Sequence, residues 1–401
     1  MTSQTIITAD RVIAGTYKRF PIVLTKGSGC VVWDETGKSY IDFVAGIAVC
    51  NLGHCHPGVV KALIEQAGTL FHVSNLYYTQ PQTELAQLLT DHSFADRVFF
   101  CNSGAEANEA AIKLARKYFK DRNEPDRYEI LSMNQSFHGR TMATLSATGQ
   151  EKIRIGFDPI LPGFDFVPFD DIDALTRKMT PKICAVMLEP IQGEGGIRQP
   201  SPEYLKQVRQ LCDQHGALLI FDEIQTGLGR TGKLFAHEHF DVEPDIMTLA
   251  KALANGLPMG AMLSRESVAA SFTPGAHAST FGGTPLAAAT SLAVLKLLIH
   301  DGIVAQSQKA GDYFKSRLLW LKNRHDVIVD VRGMGLMLGM ALKTDGTGIV
   351  AACMEKGFLI NCVQGNVLRF VPPLIVTIQE IDALIECLDG LFGGTAGFNQ
   401  E

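Results

Sequence analysis

Residues Ala217–Met259 read ALLIFDEIQTGLGRTGKLFAHEHFDVEPDIMTLAKALANGLPM, and the fold turns on how they are read. Two apolar runs lie in this stretch: Ala217–Phe221 stops at Asp222, and Ile246–Ala250 stops at Lys251. Each is short and bounded by polar and glycine-rich turns, the pattern of a strand buried on both faces. Ligands of an open α/β sheet sit outside the carboxyl ends of its strands. Asp222 and Lys251 are therefore expected to face one crevice.

Two chemistries fit that pair. One is a strand-end salt bridge with no further role. The other is an amine that forms a Schiff base with an aldehyde cofactor, beside a carboxylate that holds a pyridine nitrogen protonated, which is the pattern for pyridoxal phosphate.

Outward from this centre, strands and helices alternate. Val98–Phe100 leads into Cys101–Ser103 and then into GAEANEAAIKLARKYFK (104–120), a helix with Ala107, Ala111, Leu114 and Tyr118 on one face. Ser103, Gly104 and Ala105 thus sit at a helix N-terminus fed by a strand. Free N–H groups there suit a phosphate, although a plain Ser cap with small residues for close packing reads the same way.

Tyr128–Met133 is a further strand, followed by NQSFHGRT (134–141). In that loop Phe137 can lie over a flat ring and Arg140 can grip a carboxylate. Ile183–Leu188 runs into a loop carrying Glu189 and Glu194, and a helix over 202–215 returns the chain to the central stretch. This alternation, from about 98 to 262, predicts a mostly parallel sheet with helices on both faces.

The flanks read differently. Residues 1–28 read as an irregular lead-in, and GCVVWDETGKSYIDF (29–43) reads as a hairpin turning at Asp34–Lys38. In GIAVCNLGHCHP (46–57), Cys50, His54, Cys55 and His56 tempt a zinc reading. Adjacent ligands point apart and no second pair lies downstream, so this segment reads as a connection into a helix near Pro57, and no metal is expected. Residues 272–285 form a loop too long for a mere connector. DVIVDVRGMGLMLGMAL (326–342) reads as two paired strands with a glycine turn, and NVLRFV (366–371) as a strand carrying Arg369. Thr377 and Glu380 form a capping box for a final helix.

The chain of 401 residues exceeds one ordinary core, so a large and a small domain are expected. The predicted division is an N-terminal segment (1–60) joining the small domain, a large domain (61–300), a C-terminal small domain (301–394) and a frayed tail (395–401). A net charge of −6 gives no electrostatic reason for nucleic acid or an acidic membrane as partner. Ala287–Ile299, the longest mainly apolar stretch, contains Thr290, Ser291 and Lys296 and reads as a buried helix rather than a span. Nine scattered cysteines, an odd number in a long chain, point to a reducing compartment, the cytoplasm. The N-terminus shows no basic region followed by an apolar one.

Taken together, GIAVCNLGHCHP, CNSGAEANEAAIKLARKY, FHGRTMATLSATGQ, LEPIQGEGG, LLIFDEIQTGLGRTG, LAKALANGLPMGA, STFGGTPLA and LRFVPPL resemble the class III, ornithine-type, pyridoxal-phosphate-dependent aminotransferases, from about Thr16 to Leu374. The resemblance implies a fold-type I α/β architecture, with a mostly parallel seven-stranded sheet in the large domain and a small α+β domain. It implies Lys251 as the Schiff-base lysine and proton shuttle, and Asp222 as the pyridine partner. Glu223, Ile224 and Gln225 would line the cofactor with Asp222, Gln225 reaching the ring hydroxyl. Ser103, Gly104 and Ala105 would form the phosphate cup, and Phe137 would stack on the ring. Thr280 would reach the phosphate of a neighbouring subunit, which implies a homodimer with shared sites.

For substrates, the resemblance implies Arg140 as a carboxylate clamp assisted by Ser279, and Glu194 with Arg369 as a pair that separates when glutamate binds. It points to transfer of the δ-amine of N2-acetylornithine to 2-oxoglutarate in arginine biosynthesis, with N-succinyl-diaminopimelate as a second donor. Transamination of 4-aminobutyrate or another ω-amino acid is the alternative. Ile47 stands where ornithine-specific members usually carry tyrosine. Thr284 and Cys50 depart from the family pattern, which has asparagine at the first and often at the second.

Overall fold

The computed structural model describes residues 3–394, so the tail expected at 395–401 lies outside the described residues. At its centre is a seven-stranded sheet. In spatial order its strands are Arg97–Cys101, Gly260–Ser264, Ile246–Leu249, Leu218–Asp222, Ile183–Leu188, Glu129–Met133 and Phe164–Val167. Gly260–Ser264 runs antiparallel to both its neighbours, and the other pairings are parallel. The architecture is the α/β one expected, with seven strands in the main sheet.

Burial explains why these segments are strands. All six residues of Ile183–Leu188 are buried, as are all five of Leu218–Asp222 and all four of Ile246–Leu249. Helices cover both faces, so alternation of polar and apolar residues gives way to continuous apolar runs. Each fully buried aliphatic side chain contributes about 1.5–3 kcal/mol relative to exposure. The run expected to end before Asp222 in fact includes it, which buries that carboxylate inside the sheet rather than beyond its edge.

Two four-stranded sheets flank the large one. In the first, Leu24–Ser28, Val31–Asp34 and Ser39–Asp42 form an antiparallel set, and Phe358–Leu359 joins it in parallel beside Ser39–Asp42. The first sixty or so residues are therefore stitched to the C-terminal part of the chain. In the second, Ile328–Met334 and Met337–Leu342 pair as expected, with Gly335 at φ +52° in the turn. There a Cβ would lie 2.4 Å from the Thr231 backbone, so only glycine fits.

The lead-in is more regular than its sequence indicates: Gln4–Val12 is a helix capped by the Ser3 side chain, and Leu24–Ser28 is a strand. That helix buries no residue, and Ile7 and Val12 on it stay exposed. At the other end, Ile378–Gly393 carries the expected capping box of Thr377 and Glu380. Pro285–His300 is the buried helix expected from its apolar composition. No single helix among the described residues is long and apolar enough to cross a membrane.

The histidines of 46–57 hold structure together. His54 Nε2 lies 2.8 Å from Asp42 Oδ2, and His56 Nδ1 accepts from Gly58 N to cap the helix Pro57–Ala67.

Candidate active site

The carboxyl ends of the strands open onto a cavity of about 410 Å³. Asp222 and Lys251 both line it, as the two apolar runs implied. Lys251 lies one residue beyond the strand Ile246–Leu249, after Ala250, and takes φ +40°, a left-handed conformation that a residue bearing a Cβ rarely adopts. Burial pushes its ammonium below the usual lysine range, opposed by the nearby charges of Asp222 and Glu194.

Asp222 is held by three donors. Oδ2 accepts from Asn108 Nδ2 at 2.8 Å and faces His138 Nδ1 at 2.8 Å, while Oδ1 accepts from Ile224 N at 3.1 Å. Asn108 also donates to His138 O, and its Oδ1 accepts from Thr248 Oγ1 at 2.7 Å. His138 Nε2 in turn lies 3.2 Å from Ser132 Oγ. Four elements of the large domain thus fix one carboxylate in a single orientation. Reading the sequence alone missed Asn108, His138 and Thr248. The one available signal is that His138 adjoins Phe137 in the quoted FHGR segment.

At one end of the cavity the helix Gly104–Lys120 begins, with Ser103 as its cap: Ser103 Oγ accepts from Glu106 N at 3.2 Å. The N–H groups of Gly104 and Ala105 have no acceptor within their own helix. A Cβ on Gly104 would come within 2.8 Å of Ile224 Cδ1, so the Ile224 side chain packs directly over this glycine. Ser103, Gly104, Ala105, Phe137, Ile224 and Gln225 all line the cavity.

Glu223 does not. Its carboxylate turns away and accepts from Ala236 N, His237 N and Thr226 Oγ1 while facing His237 Nδ1. It organises the turn at 236–239, because neighbouring residues at a strand end point to opposite sides. Its side chain is thus committed to that turn and does not line the cavity expected to hold the cofactor.

Arg140 lines the cavity with its guanidinium 5.7 Å from the Phe137 ring centroid, and it makes no ion pair or hydrogen bond among the described residues. Arg369 is fully buried and paired: its Nη1 donates to Glu194 Oε1 at 2.5 Å and approaches Gln225 Oε1 at 3.5 Å, and its Nε donates to Asn361 Oδ1 at 3.2 Å. Burial raises Glu194, but the Arg369 charge and hydrogen bond prevail and hold it below the usual carboxylate range.

Ser279 and Thr280 lie outside this cavity within the chain. Ser279 Oγ accepts from Asn102 Nδ2 and Gly282 N, and Thr280 lines a separate small recess with His72, Asn75 and Gln82. Ile47 is half exposed and does not line the cavity, whereas Val49 does. Thr284 caps the helix Pro285–His300 from the asparagine position of the family pattern, and its hydroxyl donates to Phe71 O at 2.8 Å.

The aminotransferase class-III family profile matches residues 12–392. The chain is a class-III aminotransferase. This class-III aminotransferase is 54% identical over 375 residues to the acetylornithine aminotransferase of Caldanaerobacter subterraneus subsp. tengcongensis, covering 93% of this chain and 95% of that one. It is 53% identical over 379 residues to the acetylornithine aminotransferase of Methanocaldococcus jannaschii, covering 94% of each. Among solved structures it is similar to the ornithine aminotransferase of Toxoplasma gondii ME49, with a TM-score of 0.95, 34% identity and coverage of 98% and 96%. It is also similar to the acetylornithine aminotransferase of Elizabethkingia anophelis, with a TM-score of 0.87, 35% identity and coverage of 97% and 98%.

The class-III aminotransferase is an enzyme that depends on pyridoxal phosphate, and its cavity fits that group. An anion-receptive helix start, a buried amine and a buried carboxylate held by three donors line one chamber.

Proposed function

We propose that this class-III aminotransferase moves the δ-amine of N2-acetylornithine to 2-oxoglutarate, yielding N-acetylglutamate 5-semialdehyde and glutamate, a step of arginine biosynthesis. The observation that carries this reading is the pair of arginines in different states. Arg140 is free to take the carboxylate of the acylated diamine, while Arg369 is masked by Glu194 until a second carboxylate displaces it. A donor that is basic at one end and a donor with two carboxylates can then use one cavity in turn. The relatives named above, at 54% and 53% identity, support the choice of donor.

Pyridoxal phosphate supplies the electron sink for this chemistry. The residues of the chain do the rest. Gly104 and Ala105 would offer N–H groups to its phosphate, and Asp222 would hold a proton on its ring nitrogen. Phe137 and Gln225 orient the ring. Lys251 would hold the cofactor through its amine and, with that amine free, would act as the base that moves a proton at the reacting carbon. A 2-oxo acid reverses the sequence, which makes the cycle ping-pong.

Beside the cavity a recess lined by Gln150, Lys152 and Gln364 also reaches Arg140 and Glu194. Lys152 carries no ion pair or hydrogen bond among the described residues, and its charge favours N-succinyl-diaminopimelate as a second donor, whose acyl arm ends in a carboxylate. The working unit is a homodimer: Phe71, Tyr77, Tyr78 and Phe281 are exposed near the 279–284 loop, and Thr280 serves the partner's site. Nine unpaired cysteines fit a cytoplasmic enzyme.

The direct test loads the protein with pyridoxal phosphate and adds each donor without a 2-oxo acid, following loss of the lysine-bound absorbance. Fast bleaching with N2-acetylornithine is expected. Fast bleaching with 4-aminobutyrate and little with N2-acetylornithine sinks the proposal in favour of the ω-amino acid alternative. Glu194→Ala tests the second arginine. With Arg369 unmasked, kcat/KM for glutamate relative to N2-acetylornithine should rise about tenfold, the scale of one charged hydrogen bond. An unchanged ratio would show that the pair is structural.

A further inference from the structure

Glu189 is a buried carboxylate at the cavity wall for which the chemistry above has no use. It directly follows the strand Ile183–Leu188, and its two oxygens accept from two different loops. Oε2 takes Phe137 N at 3.1 Å, and Oε1 takes Gly193 N at 3.0 Å. The first loop carries the ring-stacking Phe137 and the clamp Arg140. The second carries Glu194.

Gly193 is tightly seated, since a Cβ there would lie 2.5 Å from Gln225 Oε1. Gln364 Nε2 donates to Glu194 O at 2.6 Å, and Gln225 also borders Arg369. The Glu189 carboxylate is thus the link between the wall of the cavity and the Glu194–Arg369 pair.

We propose that Glu189 is a positioning residue that governs the choice between the two amine donors. As a carboxylate it anchors Gly193 and keeps Glu194 against Arg369. On taking up a proton it releases one anchor, so that Glu194 withdraws and Arg369 receives the second carboxylate of glutamate. The chemistry is that of acceptors: an ionised carboxylate accepts on both oxygens, whereas its acid form turns one oxygen into an O–H donor facing an N–H. This inference rests on the alternating-donor reading above.

The groups facing Glu189 are the His138 ring from the Phe137 loop, Asp222 from the adjoining strand and Lys251 from the turn after the strand beyond. Burial, opposed by the His138 ring, pushes its carboxyl up to about 7. The exchange therefore falls in the physiological range: the anchored form dominates above that value and the released form below it.

The test is the ratio of kcat/KM for glutamate to that for N2-acetylornithine, measured between about pH 6 and 9 in wild type and in Glu189→Gln. Ionisations of the free enzyme shared by both donors cancel in this ratio. In the wild type the ratio should rise about fivefold as pH falls, the scale of one neutral hydrogen bond. In Glu189→Gln, which offers one acceptor oxygen and one NH2, it should be flat and fixed near the low-pH value. Glu189→Asp, still a titrating carboxylate, should keep a sloping ratio. A flat wild-type ratio, or a Gln variant that retains the wild-type slope, overturns the proposal. If N2-acetylornithine proves inert, the donor reading is lost, and the Glu189 proposal is then judged by the same ratio on whichever ω-amine donor bleaches the enzyme.

Discussion

Lys251→Ala is expected to leave a folded protein that binds pyridoxal phosphate without bonding to it and turns over at least about 10⁴-fold more slowly than wild type. The reason lies in geometry as much as in chemistry. Among the described residues, Lys251 is the only lysine that lines the 410 Å³ cavity, and it stands at a left-handed backbone position that aims it there. Its burial lowers its proton affinity, which is what a nucleophilic amine and a general base both need. Alanine at φ +40° suffers the same backbone strain as lysine, so the fold loses little. The checks are the absorbance of the loaded protein, the steady-state rate and the melting temperature of the cofactor-free form. A variant that turned over at the wild-type rate would remove Lys251 from the chemistry altogether.

Asp222→Asn should lower kcat by about 10³-fold, the scale of losing one preorganised charge at a reacting system. The carboxylate sits in the sheet with Asn108, His138 and Ile224 N all directed at it. Asparagine keeps the shape and loses the charge that would hold a proton on the ring nitrogen. It also turns an NH2 toward groups that were donating. The loss should fall on kcat more than on KM, because it concerns charge that develops after the substrate is bound. Stopped-flow rates of the half-reaction with N2-acetylornithine measure it. A loss of less than tenfold would mean that Asp222 serves the fold and not the reaction.

Which residues line the cavity was largely legible in the chain, because polar groups that face it are tied to element ends. Asp222 and Lys251 terminate apolar runs, and Ser103–Ala105 open a helix after a strand. These are local signals: strand ends and helix starts follow from burial pattern and capping. Glu223 shows the limit of that reasoning. It is adjacent to Asp222, yet its side chain serves the turn at 236–239.

What the tertiary structure alone decided is the set of partners. Asn108 reaches Asp222 across 114 positions of sequence, and His138 reaches it across 84. A neutral asparagine on a helix face carries no mark of this task, since the same residue elsewhere would simply face water. Glu189 is a similar case: its two acceptor oxygens acquire meaning only when the loops after two parallel strands are brought side by side. The sequence by itself determined which segments are buried and where they stop, because burial depends on composition and period. The structure determined which polar groups meet, because that depends on strand order. The order joins Leu218–Asp222 to Ile246–Leu249 on one side and to Ile183–Leu188 on the other, and no local pattern encodes that adjacency.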